Sequence, residues 1–449
     1  MKKRNITFKT ILVLISLVSF TIHADATDWL TGAGTQPNYV LKDGKKVKNT
    51  NTKPHLWGFI QTGYQQNYGD IFLKNGINKT PFSMVTPNLN SQAGFEINRA
   101  RIALRGMIDK KNTINYFFML EFGEDGVTKP AGHSVGNYLT DASITYRGIP
   151  YANIRVGQFK YPGSEEGLRA VFASNYRNFS TAGSQLLLER FLPNNAVDKD
   201  TNGFYLASPQ VSVGAYRDRG VELFNTVSFS KKIHFTYAAM IGSGTGLSST
   251  NASGSPTYYG YLATEYMFGK GKAFYLQSLK LYGWYQNGQR KLNNTNYTRQ
   301  RYGAGISFYK DVFNRGLRLG AEYIHAKGMI YNGAKDMDSN PNNFYWGYQI
   351  AAGDQNLANG GYFNIQYYVI PKKVELLARY DWLDRLTNST KGERVFKTTT
   401  VGLSYHFKGV ARIDLNYALR GATAPGNAKA QKVLDKTGNL LSIQATIKI

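Results

Sequence analysis

"NRARIALRG", residues 98–106, sets three arginines among residues that otherwise read as a buried strand. Successive side chains of a strand point to opposite faces. Arg99, Arg101 and Arg105 therefore share one face, and Ala100, Ile102, Leu104 and Ile108 share the other. A soluble sheet would turn the arginine face to bulk water and bury the apolar one in a core. A barrel in a bilayer would turn the apolar face to lipid and the arginines inward. The rest of the chain decides between these.

Sixteen segments read as strands, at 55–68, 95–108, 113–122, 138–147, 153–160, 220–230, 233–242, 258–268, 279–288, 301–309, 315–325, 361–369, 374–382, 396–407, 410–420 and 439–449. Many alternate cleanly. Ile114, Tyr116, Phe118, Leu120 and Phe122 make one face of the third segment, and Phe363, Ile365, Tyr367 and Val369 oppose Asn364 and Gln366 in the twelfth. In the last, Leu441, Ile443, Ala445, Ile447 and Ile449 oppose Ser442, Gln444, Thr446 and Lys448. Tight links fall at 109–112, 148–152, 231–232, 310–314, 370–373 and 408–409, with a somewhat longer one at 269–278, and every other connection reads as long and polar. Short periplasmic turns, long external loops and an even strand count are the pattern of an outer-membrane barrel, whose closure leaves no unpaired edge in lipid. The expected fold is all-β, a transmembrane antiparallel barrel of about sixteen strands. The apolar side of 98–108 then faces lipid, and the arginines face the lumen.

The ends and the composition fit this. Residues 1–26 carry a basic start (Lys2, Lys3, Arg4, Lys9), an apolar run from Ile11 to Phe20 and the small-residue pattern Ala24-Asp25-Ala26, the layout of a secretory signal peptide. Residues 27–54, rich in Thr, Asn, Gly and Lys, read as a mobile leader or a short plug-like arm, and 55–449 as the barrel. The full chain has 54 basic and 29 acidic residues, a formal charge of +25; losing four basic and one acidic residue with the signal leaves +22. For an exported chain that charge points to anionic solutes, lipid or polysaccharide rather than nucleic acid. There are no cysteines, so no disulfide and no thiolate ligand or nucleophile. The chain holds 32 Tyr and 25 Phe, yet no apolar run after the signal is long enough for a spanning helix.

The longest connection, 161–219, follows the fifth strand and holds Arg169, Arg177 and Arg190. Loops this long inside a compact architecture are usually functional. This third loop is expected to fold into the lumen as a constriction, since a barrel of about sixteen strands leaves an aqueous interior. Strand parity puts Arg155 inside as well.

Several stretches in order resemble the phosphate-selective porins O and P: "WGFIQTGY" at 57–64, "FEINRARIALRG" at 95–106, "RVGQFKYPGSEE" at 155–166, "LLLERF" at 186–191 and "YRDRGVEL" at 216–223. The resemblance implies a trimeric outer-membrane channel of a Gram-negative bacterium, a sixteen-stranded barrel, an inward third loop and a row of lumenal arginines conducting anions in single file. Arg99, Arg101 and Arg105 match that row.

Guanidinium groups suit such a row because each offers a fork of donors and keeps its charge. Sites about 7 and 13 Å apart along a strand, at roughly 3.3 Å per residue, can hand an ion along if each binds weakly. The expected function is a porin for passive, anion-preferring transport of small, phosphate-like solutes, with Arg99, Arg101, Arg105, Arg155, Arg169, Arg177 and Arg190 lining the pore. The alternative is a structural or adhesive barrel whose basic loops bind anionic polysaccharide. No enzyme motif appears, and no cofactor or metal is expected because flux would follow the solute gradient. Expected partners are the solutes, outer-membrane lipid and lipopolysaccharide, and, as the resemblance implies, two further copies of the chain. Trp57, Phe59, Phe117 and Phe118 are expected on the outer wall where copies would meet, and Arg101→Ala is expected to alter selectivity with little loss of stability.

Overall fold

The computed structural model describes residues 29–32, 34–36, 39–42, 45–69, 72–74, 77–79, 93–124, 127–128, 139–191, 205–207, 212–247, 255–269, 271, 276–334, 348–407, 411–435 and 437–449. Residues 1–26, expected to be a signal segment, lie outside the described residues. Sixteen antiparallel strands close into one barrel. In chain order they are β1 His55–Asn67, β2 Ala93–Met107, β3 Ile114–Glu121, β4 Leu139–Ile149, β5 Ala152–Lys160, β6 Arg217–Ser228, β7 Ile233–Gly242, β8 Thr257–Met267, β9 Ser278–Leu292, β10 Thr295–Val312, β11 Arg315–Lys327, β12 Leu357–Ile370, β13 Val374–Arg385, β14 Arg394–His406, β15 Ala411–Thr423 and β16 Leu440–Lys448. Each overlaps one of the sixteen segments expected from the sequence. The seam closes as β16 pairs with β1, from Leu440 opposite Asn67 to Lys448 opposite Phe59. Ile449 and Gly58 extend it by exchanging backbone hydrogen bonds of 2.9 Å.

The wall follows from alternation. Ile60, Ile97, Ile102, Val156, Leu223, Leu262, Leu281, Phe363, Leu403, Ile413 and Ile443 are exposed on the outside. So are Tyr258 near the external end of β8 and Tyr266 near its periplasmic end. A continuous apolar surface of this extent, bordered by aromatics, is a lipid-facing wall. The inner face carries Gln61, Gln65, Asn115, Glu121, Arg155, Glu222, Arg379, Asp381 and Gln444, all buried.

Within the opening stretch, Ala100 and Leu104 are half-buried and Ile102 is exposed, while Arg99 and Arg101 are buried within the barrel. One detail modifies simple alternation. Arg99 pairs with Gln61 and Ile97 with Thr62, so Asn98 is an extra residue in the ladder. Such a bulge lets two successive residues point the same way. Asn98 and Arg99 are both buried as a result.

Two expectations are corrected. Of the four aromatics expected on the outer wall, Phe118 is there, but Phe59 is 1 % exposed and lies inside. Its ring centroid is 5.3 Å from that of Phe172 in the third loop, and Trp57 meets Phe172 edge-on at 5.8 Å. Phe117 also points inward, its side chain 3.3 Å from the place a Cβ on Gly34 would occupy. Aromatics can face this lumen because chain folded inside it supplies apolar partners. The second correction concerns 289–300, which reads as a long loop. Strands β9 and β10 instead run on to a two-residue turn, Asn293–Asn294, with φ of 45° and 62°. Asparagine tolerates this left-handed backbone, which a two-residue hairpin of this kind requires.

The turn joining β2 to β3 is set by Asp109. Its carboxylate accepts the backbone N–H groups of Lys111 (2.8 Å), Thr113 (3.1 Å) and Ile114 (3.0 Å). The Thr113 bond first, then those of Ile114 and Lys111, hold it below the ordinary carboxyl value of 3.8. Because the folded-state value is depressed, the contribution is present above the unfolded value and is lost as pH falls through the folded one. Asp109→Ala should therefore lower the temperature of the heat-modifiable gel shift at neutral pH, and the gap to the parent should close on acidification below that range.

Candidate functional site

The third loop leaves β5 at Tyr161, carries a one-turn helix α2 (Glu165–Leu168), a 3-10 turn (Val171–Ala173) and a π turn (Gly183–Leu187), and returns to the wall at Arg217. It folds into the lumen. Its apolar centre, Leu186–Leu188, is 1 % exposed at each residue and joins a cluster with Phe159, Tyr161 and Tyr216.

Polar bonds from several wall strands fix the loop across the barrel. Ser164 Oγ donates to Glu322 (2.9 Å), Asn175 Nδ2 to Glu375 (2.6 Å), the Tyr176 hydroxyl to the Ala378 carbonyl (2.8 Å) and the Thr181 N–H to Asp381 (2.9 Å). Arg301 Nε donates to the Leu186 carbonyl at 2.8 Å. Ion pairs add Lys280 to Glu165 (2.6 Å), Arg379 to Glu166 (3.3 Å) and Arg299 to Glu189 (3.3 Å). Burial pushes the Glu166 carboxyl up, with Arg379 and Ser180 opposing it. Burial would do the same at Glu189, but Arg290 and Arg299 outweigh it and hold that carboxyl below its ordinary range.

Between the loop and the wall lies a cavity of about 100 Å³. Six basic side chains line it, Arg99, Arg169, Arg177, Lys280, Arg318 and Arg379, against three acidic ones, Glu165, Glu166 and Glu265. Three of the seven candidate residues thus come together here: Arg99, which donates to Gln61 Oε1 at 2.8 Å, Arg169 and Arg177. Arg177 pairs with Glu96 and donates to Gln444 at 3.4 Å. Arg169 has no ion-pair partner among the described residues, and burial, followed by repulsion from Arg318, brings its guanidinium down to about 10, so it stays charged at neutral pH.

The other four candidates lie elsewhere. Arg101 pairs with Glu121 and sits 5.6 Å from the Phe59 ring centroid. Arg155 pairs with Glu222 at 3.2 Å between the rings of Phe159 and Phe224. Arg105, opposite His55 near the periplasmic end of β2, has no ion-pair partner among the described residues. Arg190 opens a short strand pairing with Ser212–Val213, and its side chain lies outside the described residues. Lys280 was not among the candidates, although its parity with Ser278 and Tyr282 marks it as inward.

A closed sixteen-stranded barrel with an apolar outer wall and a loop folded through its polar interior has the architecture of the outer-membrane porins of Gram-negative bacteria. Residues 77–179 match the family model described as phosphate-selective porin O and P, the family whose motifs the sequence resembles. No curated protein sequence matches the chain. Among solved structures it is similar to OmpF of Salmonella typhi in complex with daunomycin, at 11% identity over 92% of this chain and 100% of that one, with a TM-score of 0.52. It is also similar to the anion-selective porin from Comamonas acidovorans, at 13% identity over 88% of this chain and 98% of that one, with a TM-score of 0.50.

Proposed function

We propose that this porin passes small anions in preference to cations through the gap between the third loop and the wall, with phosphate-like solutes among them. The observation that carries the reading is Arg169, a charged guanidinium on the cavity with no acid partner among the described residues. Arg99 lines the same cavity, as does Arg177, whose charge Glu96 offsets, and Arg105 would serve as a further station toward the periplasm. Arg190 keeps its candidacy from the sequence. Arg101 and Arg155, bound to buried carboxylates, add positive charge to the lumen largely cancelled by their partners. The family's description as phosphate-selective and the anion selectivity of the Comamonas acidovorans porin support the preference. The reading includes removal of residues 1–26 as a signal and assembly as a homotrimer in outer-membrane lipid and lipopolysaccharide. A channel of this kind needs no catalytic group or cofactor.

The test is the reversal potential of the purified protein in a planar bilayer under a potassium chloride gradient. An anion preference is expected, and Arg169→Glu should abolish or invert it while leaving the barrel folded, because no acid loses a hydrogen-bonded partner. A cation preference in the parent would overturn the reading. A barrel that never opens would favour the closed, polysaccharide-binding alternative.

A further inference from the structure

A second piece of chain lies inside the barrel. Trp29, in a one-turn helix α1 (Trp29–Gly32), lines the same cavity as Arg99, Arg169 and Arg177. Leu30 is 1 % exposed and belongs to the apolar cluster of Phe159 and Leu168, one from the inner wall and one from the third loop. Both positions are in the lumen, at the level of the constriction.

The segment is tethered at its other end. The Gln36 N–H donates to Asn115 Oδ1 at 2.8 Å, and its carbonyl accepts from Arg147 at 2.9 Å. The Gln36 side chain also reaches the Arg105 carbonyl, at 3.4 Å. These partners sit at the periplasmic ends of β2, β3 and β4, so the chain climbs from that rim to mid-lumen within a few residues. Gly34 makes the bend. Its φ of +75° suits glycine, and a Cβ there would come within 3.3 Å of Phe117. Thr35 Oγ1 closes the bend by donating to the Thr31 carbonyl at 2.8 Å.

We infer that residues 29–32 and 34–36 form a lumenal arm that completes the constriction, so that the narrowest section, and with it the size limit for solutes, is set jointly by the third loop and by Trp29. A channel walled by the loop alone would leave the indole's place as open water beside Arg169. With the arm in place, a solute must pass between guanidinium groups and an aromatic edge. The inference rests on the channel reading above and adds a size filter to it.

Deletion of Trp29–Gly32 tests it in planar bilayers. The expected result is a rise in single-channel conductance beyond the parent's channel-to-channel spread, together with uptake of larger neutral sugars in liposome swelling. A second variant guards against misfolding of the first. The chain has no cysteine, so Trp29→Cys gives one addressable thiol. A bulky methanethiosulfonate reagent should then step the current down in that variant and leave the parent unaffected. Equal conductance of parent and deletion, or a Trp29→Cys channel indifferent to the reagent, overturns the arm while the channel reading stands. If parent and deletion are both silent although folded, the channel reading falls and the size filter with it. A silent parent with a conducting deletion supports the arm as a stopper and overturns free diffusion through the parent.

Discussion

Arg101→Ala will destabilise the barrel by about 3–5 kcal/mol, the usual cost of leaving one member of a buried ion pair without the other. Sequence alone suggests a small change, because a lumenal truncation exposes nothing new to lipid. The geometry reverses that. Arg101 and Glu121 are 3 % and 1 % exposed at the side chain, and the guanidinium also lies against Phe59. Glu121 keeps two donors after the substitution, the N–H groups of Ala100 (2.8 Å) and Gly123 (2.9 Å), which places the loss toward the lower end of the range. Urea titration of the folded, heat-modifiable form in detergent will read the change. Replacing both residues by apolar side chains of similar size, Arg101→Met with Glu121→Leu, should recover most of it, since a buried pair exchanged as a whole is often nearly neutral. Selectivity should move little, in contrast to Arg169→Glu. A stable Arg101→Ala channel with weakened anion preference would make Arg101 a station for solute rather than a brace between β2 and β3.

The contrast between Arg101 and Arg169 marks how far the sequence reaches. Parity along 98–108 tells which face each residue takes, because a period of two is stringent where one side is lipid and the other polar. It cannot tell what stands opposite. Glu121 reaches Arg101 from β3, Glu96 receives Arg177 from the third loop, and Glu222 meets Arg155 from β6. These pairings depend on register and on the path of the loop. A row of arginines that looks uniform in sequence is therefore divided in three dimensions into paired braces and a guanidinium left to the cavity. The same limit explains Phe59 and Phe117. An aromatic in a barrel strand suggests lipid, and only the chain folded inside makes the lumenal face hospitable to it. The inward third loop was legible from its length and from the aqueous interior that a barrel of about sixteen strands leaves to fill. For residues 29–32 and 34–36 the sequence offered only a leader or plug-like arm within 27–54, because a short stretch without strand or helix periodicity carries no signal of what it packs on. Lys280 is within reach of a parity count on β9, but a lone lysine among polar and aromatic neighbours has no basic cluster to single it out.

Ile102→Arg will impair assembly, and the comparison with its neighbour tests the whole face assignment. Ile102 is 47 % exposed on the outer wall, between Arg101 and Ala103, which are 4 % and 0 % exposed. It pairs across β1 and β3 with Gly58 and Leu120, and Leu120 is itself on the outward face. An arginine there has no acid to meet and no lumen to enter. Charge on the lipid face costs roughly 2–4 kcal/mol near mid-bilayer and less toward the interfaces, where a long side chain can reach the headgroups. Ile102 lies five residues before the periplasmic end of β2 in a strand of 15 residues, so the larger part of that cost applies. The variant should show reduced heat-modifiable mobility and slower folding into lipid vesicles than into detergent micelles, because micelles adapt to a surface charge more readily than a bilayer. Arg101→Ala should respond to the two media alike, since its defect is inside the barrel. A slip of one residue in the strand would exchange the two behaviours, moving every side chain to the opposite face.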